Sequence, residues 1–335
     1  MEPRAPLPTG QTHAVREPRA FAAGVRPFLS RGGESRRVSS PGRGPHPLRT
    51  TRIPGTLYSV RQVEGSIVCA ECGRLVGINE ENCPYCGAWR PGLFGWAPFL
   101  RTLVGGRLDL IVLIVGACVT LYAVALLLQP EAIFRGSGFL SILSPGGRAL
   151  YQLGMTGGVA WELGWWWTLL TATYLHGGLL HILFNVMWIR NLGPAAAEVY
   201  GPARTFVLFN VAAASGFYLS NEMSGAPTIG ASGAIFGLLA ALIVYGRKRG
   251  SSVMTQQLWQ WAIILGIFGF IVPSVNNWAH GGGFAGGWIA AHLMGFGDEY
   301  RESTGVLLGA LALIAVTAVG IGLSFYNVTG ILLAE

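Results

Sequence analysis

Two stretches of this sequence set a chemically active side chain among glycines at the head of an apolar run. The first is Gly230-Ala231-Ser232-Gly233-Ala234-Ile235-Phe236-Gly237, and the second is Ala279-His280-Gly281-Gly282-Gly283-Phe284-Ala285-Gly286-Gly287. A lone serine in an apolar helix ordinarily returns its hydroxyl to a carbonyl one turn back. The glycines around Ser232 change that expectation, because they clear side chains from the hydroxyl and let a second backbone approach. An imidazole inside an apolar run is costly and is a functional hypothesis by default. Serine beside imidazole is the pairing that activates a hydroxyl for acyl transfer. Position 234 is alanine, so this is not the strand-to-helix nucleophile elbow of soluble hydrolases, which needs glycine two residues after the serine.

A third stretch, His181-Ile182-Leu183-Phe184-Asn185, sets two polar groups four residues apart, on one helix face. They serve either as hydrogen bonds to a neighbouring helix or as donors aimed at a developing oxyanion. His176 lies five residues earlier, at the mouth of the same helix. No buried aspartate is on offer as a third catalytic member. Asp109 and Asp298 are the only aspartates and fall at helix ends, while Glu162 and Glu222 fall in loops. A Ser–His dyad, held by packing rather than by a carboxylate, is the expectation.

A separate chemistry sits near the N-terminus. Cys69-Ala70-Glu71-Cys72 and Cys83-Pro84-Tyr85-Cys86 are two CxxC knuckles ten residues apart. Four thiolates at this spacing suit a tetrahedral structural Zn²⁺ in a zinc ribbon, with two disulfides or free thiols as the alternatives. The fifth cysteine, Cys118, lies inside an apolar run and reads as packing.

The elements that must position these residues are membrane helices. Of 335 residues, 51% are hydrophobic and 12% charged, about half the charged fraction of a soluble domain. A bilayer core of about 30 Å needs about 20 helical residues. Candidate spans are 109–129, 169–192, 204–221, 231–246, 257–274, 279–296 and 305–326, with a long outer loop at 130–168. Ser232 and His280 then open spans four and six, both running inward, so their depths match. The Gly283/Gly287 face can pack on Gly233 and Gly237 and bring His280 to Ser232.

Orientation follows the basic residues. Arg101, Arg107, Arg190, Arg204, Arg247, Lys248, Arg249 and Arg301 fall on one side, against Arg135 and Arg148 on the other. The N-terminus is therefore expected in the cytoplasm and the C-terminus across the bilayer, in a plasma (inner) membrane. A reducing cytoplasm disfavours disulfides in the cysteine module and so favours the metal. The +7 net charge resides in residues 1–55, which hold ten Arg against three Glu; the rest is balanced, and no nucleic-acid partner is expected. That Arg-, Pro- and Ser-rich segment cannot bury enough surface to fold alone and reads as a disordered tail, a transit peptide, or the product of a misassigned start. The expected order is tail 1–55, zinc ribbon 56–95, a six-span core over 96–300, and a seventh span with the C-terminus over 301–335.

Together, the motifs between about 165 and 296 resemble the rhomboid intramembrane serine proteases. The family's GxSG appears as Gly230 to Gly233, its AHxxGxxxG as Ala279 to Gly287, and its HxxxN as His181 to Asn185. The resemblance implies an all-α polytopic membrane protein, a six-helix core with one extra C-terminal transmembrane helix. It implies Ser232 as nucleophile and His280 as general base and acid. His181, Asn185 and the Ser232 N–H would form the oxyanion hole. Phe236 would stack on His280 where many relatives use Tyr, with Gly230, Gly233, Gly283, Gly287 and His176 as support. One position departs: the family's loop often carries Trp-Arg, whereas here Trp165-Trp166-Trp167-Thr168 sets Thr168 at the arginine. The three tryptophans suit an interfacial aromatic belt.

The expected activity is cleavage, without a catalytic cofactor, of other proteins' transmembrane helices. Zinc is structural, and the ribbon is free to dock a cytoplasmic partner. A catalytically inactive rhomboid-like protein that binds membrane helices is the alternative; it is disfavoured because both Ser232 and His280 are present. A transporter is disfavoured further, since the chain shows no repeated half and no rows of intramembrane carboxylates.

Overall fold

The computed structural model describes residues 63–69, 72–92, 94, 96, 109–134, 142–272, 274–294 and 303–334. The tail 1–55, most of the linker 96–108, loop positions 135–141, and Arg101, Arg107, Asp298 and Arg301 lie outside the described residues.

The cysteine module is built on a two-stranded antiparallel hairpin, β1 (Ser66–Val68) and β2 (Leu75–Gly77), in the register Ile67↔Val76. Ile67, Val76 and Ile78 alternate inward, onto Cys69 and Cys83. Such a core is too small to hold a fold by burial alone, so a module of this size needs a staple.

Seven long helices follow: α1 (Leu110–Leu128), α5 (Leu179–Tyr200), α6 (Pro202–Met223), α7 (Ser232–Lys248), α8 (Ser252–Ile271), α9 (Asn277–Met294) and α10 (Thr304–Ala334). Between α1 and α5 lie α2 (Gly147–Gln152), α3 (Val159–Glu162) and α4 (Thr168–Thr171). The protein is a multi-pass integral membrane protein with a C-terminal apolar helix beyond the bundle. Leu110–Leu128 and Gly305–Leu333 are each long and apolar enough to cross a bilayer on their own. The helices between them carry polar and glycine positions because neighbouring helices, not lipid, surround those positions. Thirteen of the seventeen residues of α7 are buried, which makes it the centre of the bundle. By contrast, α8 buries only Leu258, Ala262 and Gly269 and exposes Ile263, Ile264, Ile267, Phe268 and Phe270. Asp109 caps α1, its carboxylate accepting the Ile111 and Val112 N–H groups, and Cys118 is fully buried as packing.

Two boundaries differ from expectation. The second span does not begin at 169. Residues 168–174 form short turns bent by 96° from Leu179–Tyr200, because the chain breaks at Gly177-Gly178 before α5 starts. Nor is 130–168 a plain loop, since it carries α2 and α3. Glycines at positive φ, Gly154 (100°) and Gly157 (84°), turn the chain between them. Glu162 and Glu222, both expected in loops, belong to α3 and to the last turn of α6.

The segment carrying α2 to α4 is anchored to α10 at two points. Trp167 Nε1 donates to Ser324 Oγ of α10 at 2.9 Å, and Gln152 Nε2 to Thr329 Oγ1 at 3.3 Å. Trp165 is buried and stacks on Trp167, so only Trp166 of the three tryptophans is exposed in the way an interfacial belt requires. At the position of the family's arginine, Thr168 is fully buried. Its hydroxyl lies 3.0 Å from Thr156 Oγ1 and 2.6 Å from the Trp165 carbonyl oxygen. A short hydroxyl thus ties the segment between α1 and α5 internally.

Candidate active site

Ser232 is the first residue of α7. The chain reaches it through Gly230, whose φ of 119° is open to glycine but strained for other residues. The Gly230 N–H donates to the Ala172 carbonyl, which fixes this entry on the turn preceding α5. The first intrahelical bond of α7 runs from the Ile235 N–H to the Ala231 carbonyl, so the N–H groups ahead of it have no helical acceptor. A helix that opens on Ser232 therefore offers backbone donors beside its hydroxyl.

His280 lies in the first turn of α9, with Nε2 2.9 Å from Ser232 Oγ. Its ring stacks on Phe236, one turn after the serine, with centroids 4.5 Å apart and planes 25° from parallel. His280 Nδ1 is buried and has no hydrogen-bond partner among the described residues. Among the described residues, the Phe236 ring is the contact that orients the imidazole.

Bare backbone lets the two helices approach this closely. A Cβ on Gly283 would stand 2.6 Å from the Gly233 carbonyl carbon, and one on Gly287 would stand 2.6 Å from the carbonyl carbon of Gly237. The expected pairing of the two glycine faces is therefore present. A second glycine contact went unread in the sequence. Gly282 meets Gly216 of α6, its notional Cβ 3.0 Å from the Gly216 Cα, so α9 is clasped on two sides.

His181, in the first turn of α5, approaches the same entry. A Cβ on Gly230 would be 2.6 Å from His181 Nε2, so glycine is required there by contact as well as by φ. The Gly177 N–H donates to His181 Nδ1 at 3.3 Å. That bond assigns the proton to Nε2 and makes His181 a donor toward the serine's side. Asn185, one turn on, is buried, and its Nδ2 donates to the His181 carbonyl at 2.8 Å. One amide hydrogen thus remains for another acceptor. His176 is fully buried against His181, ring centroids 5.1 Å apart, and its contact is with that histidine.

Sequence reasoning missed a polar cluster one turn before both motifs. Asn276 caps α9, and its amide reaches Ser220, Ser224 and Thr228; Thr156 and Asn221 join the same cluster. An asparagine directly before an apolar run is a cap signal that was available in the sequence. The partners, from three other segments, gave no such signal.

The four cysteine sulfurs of the N-terminal module lie within 4.8 Å of one another. The pairs Cys69–Cys86 and Cys72–Cys83 are 3.8 and 3.6 Å apart, and none of the four forms a disulfide. A tetrahedron with Zn–S bonds of about 2.3 Å has edges of about 3.8 Å, so the donor set fits the ion. Gly73 and Gly87, each directly after a knuckle, sit at φ 66° and 74° and close the two turns. Burial opposes ionisation of Cys83, but the Tyr85 and Cys86 N–H groups and neighbouring thiols outweigh it and hold that thiol down at about 7. The Ala88 N–H favours a thiolate at Cys86, yet burial and the three other sulfurs push that thiol up to about 12. Four thiolates can share this space only if a cation offsets their repulsion.

Part of the sequence is shared with known proteins. A Rhomboid domain family model matches residues 163–297. The chain is 36% identical over 164 residues to Rhomboid protease GluP of Bacillus subtilis (strain 168), covering 44% of this chain and 31% of that one. It is 32% identical over 139 residues to RHOMBOID-like protein 7 of Arabidopsis thaliana, covering 38% and 42% of the two chains. With the rhomboid relative YdcA of Bacillus subtilis (strain 168) it is 30% identical over 154 residues, covering 43% of this chain and 71% of that one. The match thus spans less than half the length of the first two relatives.

Proposed function

Because the chain belongs to the rhomboid family, we propose that it is an intramembrane serine endopeptidase that hydrolyses peptide bonds in or near the transmembrane helices of other proteins. The observation that carries this reading is the 2.9 Å approach of His280 Nε2 to Ser232 Oγ. In the first step, Ser232 Oγ attacks the scissile carbonyl carbon while its proton passes to His280 Nε2. Negative charge gathers on the carbonyl oxygen, where the Ser232 N–H, His181 Nε2–H and an Asn185 amide hydrogen serve as donors. Stacking on Phe236 holds the imidazolium in place. The tetrahedral species then collapses, and the C–N bond breaks as His280 returns the proton to the leaving amine. Water, deprotonated by the same nitrogen, hydrolyses the acyl-enzyme and restores Ser232.

A regular helix hides its carbonyls in hydrogen bonds, so the substrate must unwind locally, and Gly or Pro near the scissile bond should help. The same reading takes residues 1–55 as a tail, 56–95 as a zinc ribbon, 96–300 as the protease core and 301–335 as the seventh-helix segment. It puts the N-terminus and the ribbon in the cytoplasm and the C-terminus across a plasma membrane. There the ribbon holds one structural zinc through Cys69, Cys72, Cys83 and Cys86, and is free to dock a cytoplasmic partner.

The test is labelling by a fluorophosphonate together with cleavage of a transmembrane reporter. Wild type should be labelled and active, whereas Ser232→Ala should be neither, and His280→Ala should be inserted but inactive. A Ser232→Ala protein with wild-type cleavage would end the dyad assignment. An unlabelled, inactive wild type would leave the helix-binding alternative.

A further inference from the structure

Glycine contacts bring α7 and α9 together, but they are smooth. Gly233 against Gly283, and Gly237 against Gly287, set how far apart the helices lie while providing no side chain that keys one helix to the other along the axis. The Ser232–His280 distance depends on that axial register, since Ser232 is the first residue of α7 and His280 lies in the first turn of α9.

Phe236 of α7 stacks on His280 of α9 across this interface, and the side chain of Asn276 supplies a polar key ahead of both helices. Its Oδ1 accepts the N–H groups of Trp278 and Ala279 at 3.1 and 3.4 Å, which caps α9. Its backbone carbonyl accepts the His280 N–H at 3.4 Å, so His280 sits one turn from it. At the other end of the amide, Nδ2 donates toward Ser220 Oγ at 2.7 Å, Thr228 Oγ1 at 3.0 Å and Ser224 Oγ at 3.3 Å. Ser220 and Ser224 end α6. Thr228 lies four residues before Ser232, just as Asn276 lies four before His280. Thr228 is itself held, its N–H donating to the Thr156 carbonyl at 2.8 Å and its hydroxyl to the Ala226 carbonyl at 2.7 Å. Both catalytic segments therefore leave one hydroxyl cluster, and one amide spans it.

Resting on the dyad reading above, we infer that Asn276 is a positioning residue: it locks the heads of α7 and α9 in axial register and so sets the Ser232–His280 hydrogen bond. It touches neither reacting atom, and its two functions are separable. Capping needs only a side-chain oxygen, which serine provides nearly as well as asparagine. The clamp needs an amide long enough to reach Thr228 and Ser220, which serine lacks.

The experiment compares wild type, Asn276→Ser, Thr228→Val and the double variant in detergent, with kcat and KM for a transmembrane reporter, the fluorophosphonate labelling rate and thermal stability. Misalignment of about an ångström can cost about 100-fold in rate. We expect Asn276→Ser to keep wild-type KM and melting temperature but to lose about 10- to 100-fold in kcat and labelling rate. Thr228→Val removes the acceptor from the other side and should show the same split, and the double variant should lose no more than the worse single one. Wild-type kcat in a folded Asn276→Ser would overturn the proposal and leave the dyad standing. If Asn276→Ser does not fold, Thr228→Val decides alone, and its wild-type kcat would overturn the proposal too. Losses that multiply in the double variant would also overturn it. An unlabelled wild type would remove the dyad reading and the positioning role together.

Discussion

Replacing Gly283 by alanine tests whether the glycine contacts set the distance between nucleophile and base. The new Cβ would stand 2.6 Å from the Gly233 carbonyl carbon and 2.8 Å from its Cα, where ordinary contact begins at 3.4 Å. Both neighbours are backbone, so no rotamer change relieves the clash, and α7 and α9 must separate by about 0.6–0.8 Å. Gly233 adjoins Ser232, and Gly283 lies one turn after His280, so the separation passes directly to the pair. Their 2.9 Å hydrogen bond then opens to about 3.6 Å, beyond the range of a real one. We expect a loss of about 100-fold in turnover and in fluorophosphonate labelling. Stability should fall by about 1–3 kcal/mol, the usual cost of overpacking. Gly281→Ala is the matched control: it is on the same helix, two residues away, with nothing within 4 Å of its Cβ. It should retain wild-type turnover. The assay is cleavage of a transmembrane reporter beside thermal denaturation in one detergent. Wild-type turnover in Gly283→Ala, or equal losses in the two variants, would refute the reasoning.

Asn185→Ala should slow turnover by about 10- to 1000-fold, as expected when one oxyanion donor is lost, with KM little changed. Unchanged kinetics would leave its bond to the His181 carbonyl as its whole role. Metal analysis of the full-length protein should find about one zinc per chain, the stoichiometry of a single four-thiolate site, and Cys69→Ser with Cys72→Ser should abolish it. Metal binding needs thiolates, so protons compete with the ion and zinc affinity should fall as the pH is lowered. An affinity that does not fall on acidification would contradict a tetrathiolate site. Accessibility tagging should find the ribbon on the cytoplasmic face and position 335 across the membrane.

Much of the chemistry was legible because it is written in short range. Two CxxC knuckles, a serine between glycines, a histidine before GxxxG and a His–Asn pair at i, i+4 each declare residue type and spacing within a single element. Apolar runs located the seven long helices of the described residues, although the second starts ten residues later than expected and the seventh runs eight residues further. Glycine periodicity even gave the face on which α9 meets α7. Only the tertiary structure decided how those elements register. The break at Gly177-Gly178, the pinning of Trp167 to Ser324, and the amide of Asn276 spanning Ser220 and Thr228 all join residues far apart in the chain. Thr168 shows the same divide. Its sequence position marks only a missing arginine, while its bond to Thr156 shows how the segment between α1 and α5 is held without one. A residue's chemistry is a property of its type, and a helix is a property of its run. The 2.9 Å between Ser232 and His280 belongs to two helix heads 48 positions apart, and it exists only once packing and one shared polar cluster have set both.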